Sequence, residues 1–183
     1  MNPIAIAGIE TSSIAQGIVT ADAMVKTADV ELIEISTLSP GRYWILIGGD
    51  VASVRASYKR GLEIAADALL DSLFIPQLHD GVFPALRGTV PASEDDAVGV
   101  IETLSAASAI IAADVAVKNA DITLRDLRLA NGIGGKGVVT FSGTLSAVQA
   151  GVESGRADAQ KRGLLARAVV IPRIDPRLRS RIL

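Results

Sequence analysis

The chain has no cysteine and a single histidine among its 183 residues. That excludes disulfides, thiolate nucleophiles, and zinc or iron–sulfur sites built on thiolates of this chain. Aromatic residues are scarce, one Trp, two Tyr and three Phe, against a hydrophobic fraction of 49%. The core must therefore be built from Ala, Val, Ile and Leu, short side chains that let layers approach closely. Neither sign of charge is in excess, since 18 Lys and Arg face 20 Asp and Glu for a net charge of -2. Basic residues are scattered except near the C-terminus, which leaves no basic field for nucleic acid. Apolar stretches are broken every few residues by Asp, Lys, Ser or Gly, and none approaches a membrane span. The mean hydropathy of +0.40 is nevertheless high for a soluble chain, and the excess is expected to be surface buried between subunits. Met1-Asn2-Pro3-Ile4 carries no basic segment followed by an apolar run and a cleavage site, so the expected location is cytoplasmic.

What is present is a repeat. The phrase beginning at Ile9 returns at Ile101, an offset of 92 (101 minus 9), with Glu10/Glu102, Thr11/Thr103, Ser13/Ser105, Ile18/Ile110, Asp22/Asp114 and Lys26/Lys118 among the matches. Gly49/Gly143, Val54/Val148 and Gly61/Gly155 align at 94, so the second copy has two extra residues between Leu32 and Gly49, in a Gly-rich loop. Ile75-Pro76 and Ile171-Pro172 end the copies. The expected organisation is a first domain over 1–88, a linker over 89–96 carrying Pro91 and the acidic run Glu94-Asp95-Asp96, and a second domain over 97–183.

Each copy has one rhythm. Ile4 to Glu10 reads as a strand, and Ser12 or Ser13 can cap a helix with the apolar stripe Ile14, Ile18, Ala21, Val25 and Ala28. Val30 to Leu38 and Arg42 to Gly49 read as strands about the turn Ser39-Pro40-Gly41. Asp50 can cap a second helix with Val51, Val54, Tyr58, Leu62, Ala65 and Leu69 on one stripe, and Ser72 to Leu78 closes the copy as a strand. The order β-α-β-β-α-β predicts an α/β fold, more strictly α+β and ferredoxin-like, with an antiparallel sheet and both helices on one face. The other face is then open and each half marginal alone, so assembly is expected to supply the missing burial.

Few residues suggest chemistry. Gly132 to Gly137 brackets Lys136, but a phosphate loop needs Ser or Thr after the Lys and then a helix; here Gly137 follows and Val138 to Phe141 reads as a strand. His79 beside Asp80 lacks a positioned nucleophile and reads as a loop residue. Glu10 and Glu102, recurring at strand ends, are expected to be structural and not a catalytic pair, and packing is expected for one of Tyr43 and Trp44. Lys26 and Lys118 each follow an Asp at i−4, a solvated pair contributing about 0.2–0.5 kcal/mol when read alone. No catalytic or metal-binding set emerges, and no cofactor is expected.

The phrases Glu10-Thr11-Ser12-Ser13-Ile14-Ala15 and Ala21 to Val30, the loop Ser39-Pro40-Gly41 with Gly48-Gly49-Asp50, the second-copy loop Asn131-Gly132-Ile133-Gly134-Gly135-Lys136, and the ending Ile171-Pro172-Arg173 resemble the shell-protein domain of bacterial microcompartments. The likeness covers nearly the whole chain. It implies a structural shell protein and not an enzyme: a tandem-domain homotrimer imitating a hexamer, a facet tile that meets other shell proteins and passes small metabolites through a central pore. By the same resemblance Ser39, Pro40, Gly41, Asn131, Gly132, Ile133, Gly134 and Gly135 are expected at the pore, and Lys26, Lys118 and Arg173 at the lateral edge. In the first copy Gln77 stands where Arg173 does. Within the family the chain is most similar to the propanediol-utilisation tandem type, which holds an iron–sulfur cluster through a cysteine in the loop between the second and third strands; Ser39 stands there instead, and the redox role is not carried over. The alternative is a small-molecule-binding or sensory module of ferredoxin-like topology, disfavoured by the repeated lysines.

Overall fold

The computed structural model describes residues 4–91, 94–130 and 132–182, except the side chain of Ser180. Asn131 lies outside the described residues, as do positions 92 and 93 of the expected linker. The chain forms two compact units: residues up to Leu78 with Ser105–Ala107 and Ala130–Gly135, and His79–Leu104 with Ser108–Leu129 and Lys136–Leu183. The first domain was expected to run to residue 88, but His79 onward belongs to the second unit, where a short helix, Val82–Leu86, packs on the strand Ile122–Leu129.

The first unit holds β1 (Ala5–Thr11), α1 (Ile14–Thr27), β2 (Glu31–Leu38), β3 (Arg42–Gly49), α2 (Val51–Ala65) and β4 (Leu69–Ile75). Its antiparallel sheet has the order β2-β3-β1-β4, with Glu10 opposite Trp44 on one side and Asp71 on the other. The second unit contributes α3 (Val82–Leu86), β5 (Ala97–Thr103), α4 (Ala106–Asn119), β6 (Ile122–Leu129), β7 (Gly137–Gly143), α5 (Leu145–Lys161), β8 (Leu165–Ile171) and α6 (Pro176–Ile182), with sheet order β6-β7-β5-β8. Irregularities fall at matched places in both sheets, Glu10/Thr11 with Glu102/Thr103 and Leu32/Glu34 with Leu124/Asp126, so the repeat extends to the bulges.

Local chemistry starts the helices. Ser13, rather than Ser12, caps α1 by accepting from the Gln16 amide at 3.2 Å, and Asp50 Oδ1 accepts from the Ala52 and Ser53 amides at 2.9 and 3.0 Å. A hydrogen bond from the Ser53 side chain, followed by the Ser53 and Ala52 amide bonds, holds the Asp50 carboxyl below its ordinary range. The expected stripe of α2 ran on to Leu69, but Ala66 takes φ 45° and ends the helix, so the closing strand starts at Leu69 and stops at Ile75.

The helix-facing core of the first unit gathers Ala5, Ala7, Ile9, Ala21, Met24, Tyr43, Ile45, Ile47, Val54 and Ala65. α1 is turned differently from expectation. Its buried residues are Gly17, Thr20, Ala21 and Met24, while Ile14, Ile18 and Val25 are exposed. Small residues on the inner face let α1 come close, with Gly17 against the Tyr43 ring, and this leaves the bulky stripe outside. In α4 the matching Ile110 and Ala113 are buried.

The second sheet face of the first unit was expected to be open. It is not, since Ile6, Glu10, Trp44, Leu46 and Leu73 are all 2% exposed or less. Both Tyr43 and Trp44 are buried, where packing was expected for one. Gly8 makes room for the Trp44 ring, since a Cβ there would lie 2.3 Å from it. The acidic run at 94–96 is neutralised within the second unit, Asp95 by Arg125 and Ser142, and Glu94 and Asp96 by Arg179 of α6.

Candidate functional site: two loops and two helix ends

The turn between β2 and β3 is tight, with a cis Ser39–Pro40 bond and Gly41 at φ 79°; Pro40 and Gly41 are exposed. In the longer loop before β7, Gly132, Gly134 and Gly135 all have positive φ, a conformation that disfavours side chains. Ala130–Gly135 belongs to the first unit, and the two loops meet there. Gly135 packs where a Cβ would fall 2.8 Å from the Ser39 carbonyl, and Arg42 Nη1 donates to the Gly135 carbonyl at 3.4 Å. Gly135 thus joins the two loops at Ser39 and Arg42, and together they form a rim. Gly137 begins a strand, so no helix N-terminus follows the loop to receive a phosphate.

Behind the rim lies a polar cluster that sequence reasoning missed. Glu10, wholly buried, accepts from Arg42 Nη1 at 2.7 Å through one oxygen and from the Ala106 amide at 2.9 Å through the other. Beside it Asp71 accepts from the Ser105 hydroxyl and, at 2.8 Å, from the Ser72 amide. Burial pushes the Glu10 carboxyl up; the Arg42 and Ala106 hydrogen bonds and the Arg42 charge pull it down, while the Asp71 charge adds to the rise. The legible signal was the match of Glu10 and Arg42 with Glu102 and Lys136, which pair at 2.9 Å.

The helix ends differ. Lys26 pairs with Asp22 at 2.7 Å, both well exposed, as expected of a solvated pair. Lys118 pairs at 2.6 Å with Asp114, whose side chain is only 7% exposed and whose other oxygen accepts from the His79 amide at 2.8 Å. His79 Nδ1 in turn accepts from the Gly81 amide at 3.1 Å, so the histidine shapes a turn. Arg173 is exposed. Beside Lys118, Val117, Pro84 and Leu124 line a depression of about 270 Å³.

A thiolate-held cluster does not fit, because the chain has no cysteine and Ser39 offers a hydroxyl, a poor ligand for soft iron. Among the described residues no group of three His, Cys, Asp or Glu could hold a metal, and no helix is long and apolar enough to cross a membrane.

Comparison with known proteins agrees with this architecture. The BMC domain model matches residues 5–78 and again 97–174. The chain is 41% identical over 169 residues to the bacterial microcompartment shell protein PduT of Citrobacter freundii, covering 92% of each. It is 27% identical over 182 residues to the carboxysome assembly protein CcmO of a Synechocystis species, covering 91% of this chain and 60% of that one. A crystal structure of a microcompartment protein from Desulfitobacterium hafniense superposes with a TM-score of 0.85 at 41% identity, covering 96% of this chain and 98% of that one. Two matched domains and relatives of this kind place the chain in the bacterial microcompartment shell-protein family, as a member with BMC domains in tandem.

Proposed function

We propose that the protein is a trimeric, pseudohexameric facet tile of a microcompartment shell, with a central pore for small polar metabolites and edges that meet other shell proteins. The relatives are structural shell proteins and not enzymes, which favours this role over a sensory module.

The observation that carries the pore is the union of the two loops into one rim, held by Arg42 and by the contact of Gly135 with Ser39. Threefold symmetry would set three copies of this rim about one axis. Ser39 then supplies a ring of hydroxyls, and the glycine backbone supplies amides and carbonyls. Asn131 is assigned to the same rim from its place in the sequence alone.

A trimer is supported by what one chain leaves uncovered. Ile14, Ile18, Val19 and Val25 on α1 are 39 to 55% exposed, a stripe of large apolar residues on one helix. Lys26, Lys118 and Arg173 are assigned to the lateral edges. Sedimentation and negative-stain microscopy of the purified protein test the proposal: trimers that join into sheets, tubes or shells are expected. A stable monomer at micromolar concentration would overturn it.

A further inference from the structure

Residues 79–96 fall between the two stretches that match the BMC domain, so what they build is not part of the repeated domain. Within the second unit α3, which this segment carries, packs on β6, and a hollow of about 270 Å³ remains beside it. Val117 of α4 with Ile122 and Leu124 of β6 form one wall of the hollow, and His79 and Gly81 of the segment form the other. In the first unit Val25 and Leu32, the counterparts of Val117 and Leu124, are 39 and 43% exposed, whereas Leu124 is 3% exposed. The hollow therefore comes with the connecting segment.

Two features suit it to a ligand. Gly81 has φ −70°, which any residue adopts, so the backbone does not require glycine there. A Cβ at that position would stand 3.2 Å from His79 Nδ1 and 4.0 Å from Leu124 Cδ1, between two lining side chains, and glycine keeps that space open. The second feature is His79, half-buried in the wall. Its Nδ1 accepts the Gly81 amide at 3.1 Å, so the ring carries its one proton on Nε2, and that N–H has no partner among the described residues. Apart from this donor and the exposed Thr123 hydroxyl the lining is apolar, and the neighbouring Lys118 is already held by Asp114 at 2.6 Å.

We infer that the hollow is a binding site for a compact neutral carbonyl compound, a small ketone or aldehyde whose apolar body packs on Val117, Ile122 and Leu124 and whose oxygen accepts from His79 Nε2. An apolar pocket with one fixed polar group holds a ligand in a single orientation, and this volume lies at the small end for such sites. Charge in the ligand is disfavoured. A carboxylate would leave water for a lining without Lys or Arg, and an ammonium would meet a donor instead of an acceptor. An alcohol would bring a proton of its own that the apolar wall cannot accept, whereas a carbonyl brings none. All of these residues belong to one unit of one chain, so the site is complete without any neighbour.

The single histidine makes the test direct, because isotope-labelled histidine gives one imidazole to follow by NMR. Cyclohexanone should shift the Nε2 resonance saturably, with a dissociation constant of about 1 mM for so small a ligand. Cyclohexanecarboxylate and cyclohexylammonium, similar in size but charged, should bind at least about tenfold more weakly. Gly81→Ala places a methyl group in the hollow on a backbone that suits alanine, and should weaken cyclohexanone binding at least about tenfold while the protein stays folded. His79→Asn keeps an acceptor for the Gly81 amide but removes the ring N–H, and should weaken binding about fivefold, read from the ligand's own NMR signals. Absence of saturation by cyclohexanone, or undiminished binding in Gly81→Ala, overturns the site. Equal binding of either charged analogue overturns the ligand class, and unchanged affinity in His79→Asn overturns the hydrogen bond. Should Gly81→Ala unfold, Val117→Phe fills the same hollow from α4 and is judged by the same outcomes.

Discussion

Gly61 on α2 and Gly155 on α5 occupy matched places where each helix crosses its neighbours, yet a methyl group added at each should have different consequences. At Gly61 the new Cβ would stand 2.5 Å from Ile9 Cδ1 and 2.7 Å from Met24 Sδ, both ends of flexible side chains. At Gly155 it would stand 2.7 Å from Ile101 Cδ1, 2.8 Å from the Ala112 carbonyl oxygen and 3.0 Å from Ala116 Cβ. A helix backbone and an alanine have no rotamer with which to yield. Replacing glycine by alanine inside a helix gains about 1 kcal/mol of propensity, and overpacking costs about 1–3 kcal/mol. Gly61→Ala, whose neighbours can turn aside, should sit near the low end of that cost and come out within about 1 kcal/mol of the parent. Gly155→Ala must push α4 and α5 apart, sits near the high end, and should lose about 2 kcal/mol net. With a urea slope of about 2 kcal/mol/M, the midpoint of Gly155→Ala should fall about 1 M below the parent. Circular dichroism during urea unfolding, at one fixed protein concentration, measures both variants. Should Gly155→Ala unfold at the same urea concentration as Gly61→Ala, the contrast between backbone and side-chain neighbours is refuted.

Three further outcomes are expected. Lys26→Glu should change stability by less than about 0.5 kcal/mol, since the pair is exposed; Lys118→Glu should cost about 2 kcal/mol because it strands Asp114; both are read from urea midpoints. The combination Lys26→Glu with Lys118→Gln should still sediment as a trimer but form no extended layers in micrographs. Glu10 binds its proton more tightly folded than unfolded, so its contribution to stability is fully present below the unfolded value of about 4.3 and is lost as pH rises through the folded one; Glu10→Gln should remove that component of the slope in midpoints taken from pH 4 to 7. The parent should remain colourless after anaerobic reconstitution with iron and sulfide, and Ser39→Cys should develop charge-transfer absorption only as a trimer, where three thiolates can converge.

The element order was legible because the pattern occurs twice and because polar side chains mark the starts of helices: Asp50 and Ser13 cap where their residue types suggest. The orientation of α1 was not legible. Both its faces are apolar, and a stripe of isoleucine and valine outweighs Gly17 and Ala21 in any hydrophobicity pattern, although close approach favours the smaller residues. Ala66 in a positive-φ conformation carries no marker in sequence, so the end of α2 was read one turn late. α6 was missed because the seven-residue stretch Pro176–Ile182 opens on Pro and alternates Arg with other residues, and its place depends on Arg179 meeting Glu94 and Asp96, more than eighty residues away. The loops of the rim could be named from family resemblance, but nothing in their local pattern tells that Arg42 reaches Gly135.

Under the proposed edge role, the inequality of the two helix-end lysines bears on how tiles would join. Lys118 is tethered by an aspartate that is itself fixed by the His79 amide, so its ammonium is already placed before any neighbour arrives. Lys26 is 72% exposed on a loose partner and must give up rotamer freedom worth up to about 2 kcal/mol when a neighbour holds it. In the proposed tile, one lysine-bearing edge would be preorganised and the other adaptable. A stiff edge would favour one seam angle between neighbouring tiles, whereas a pliant edge would accept several, so a single chain would supply both a flat facet and a joint that can bend.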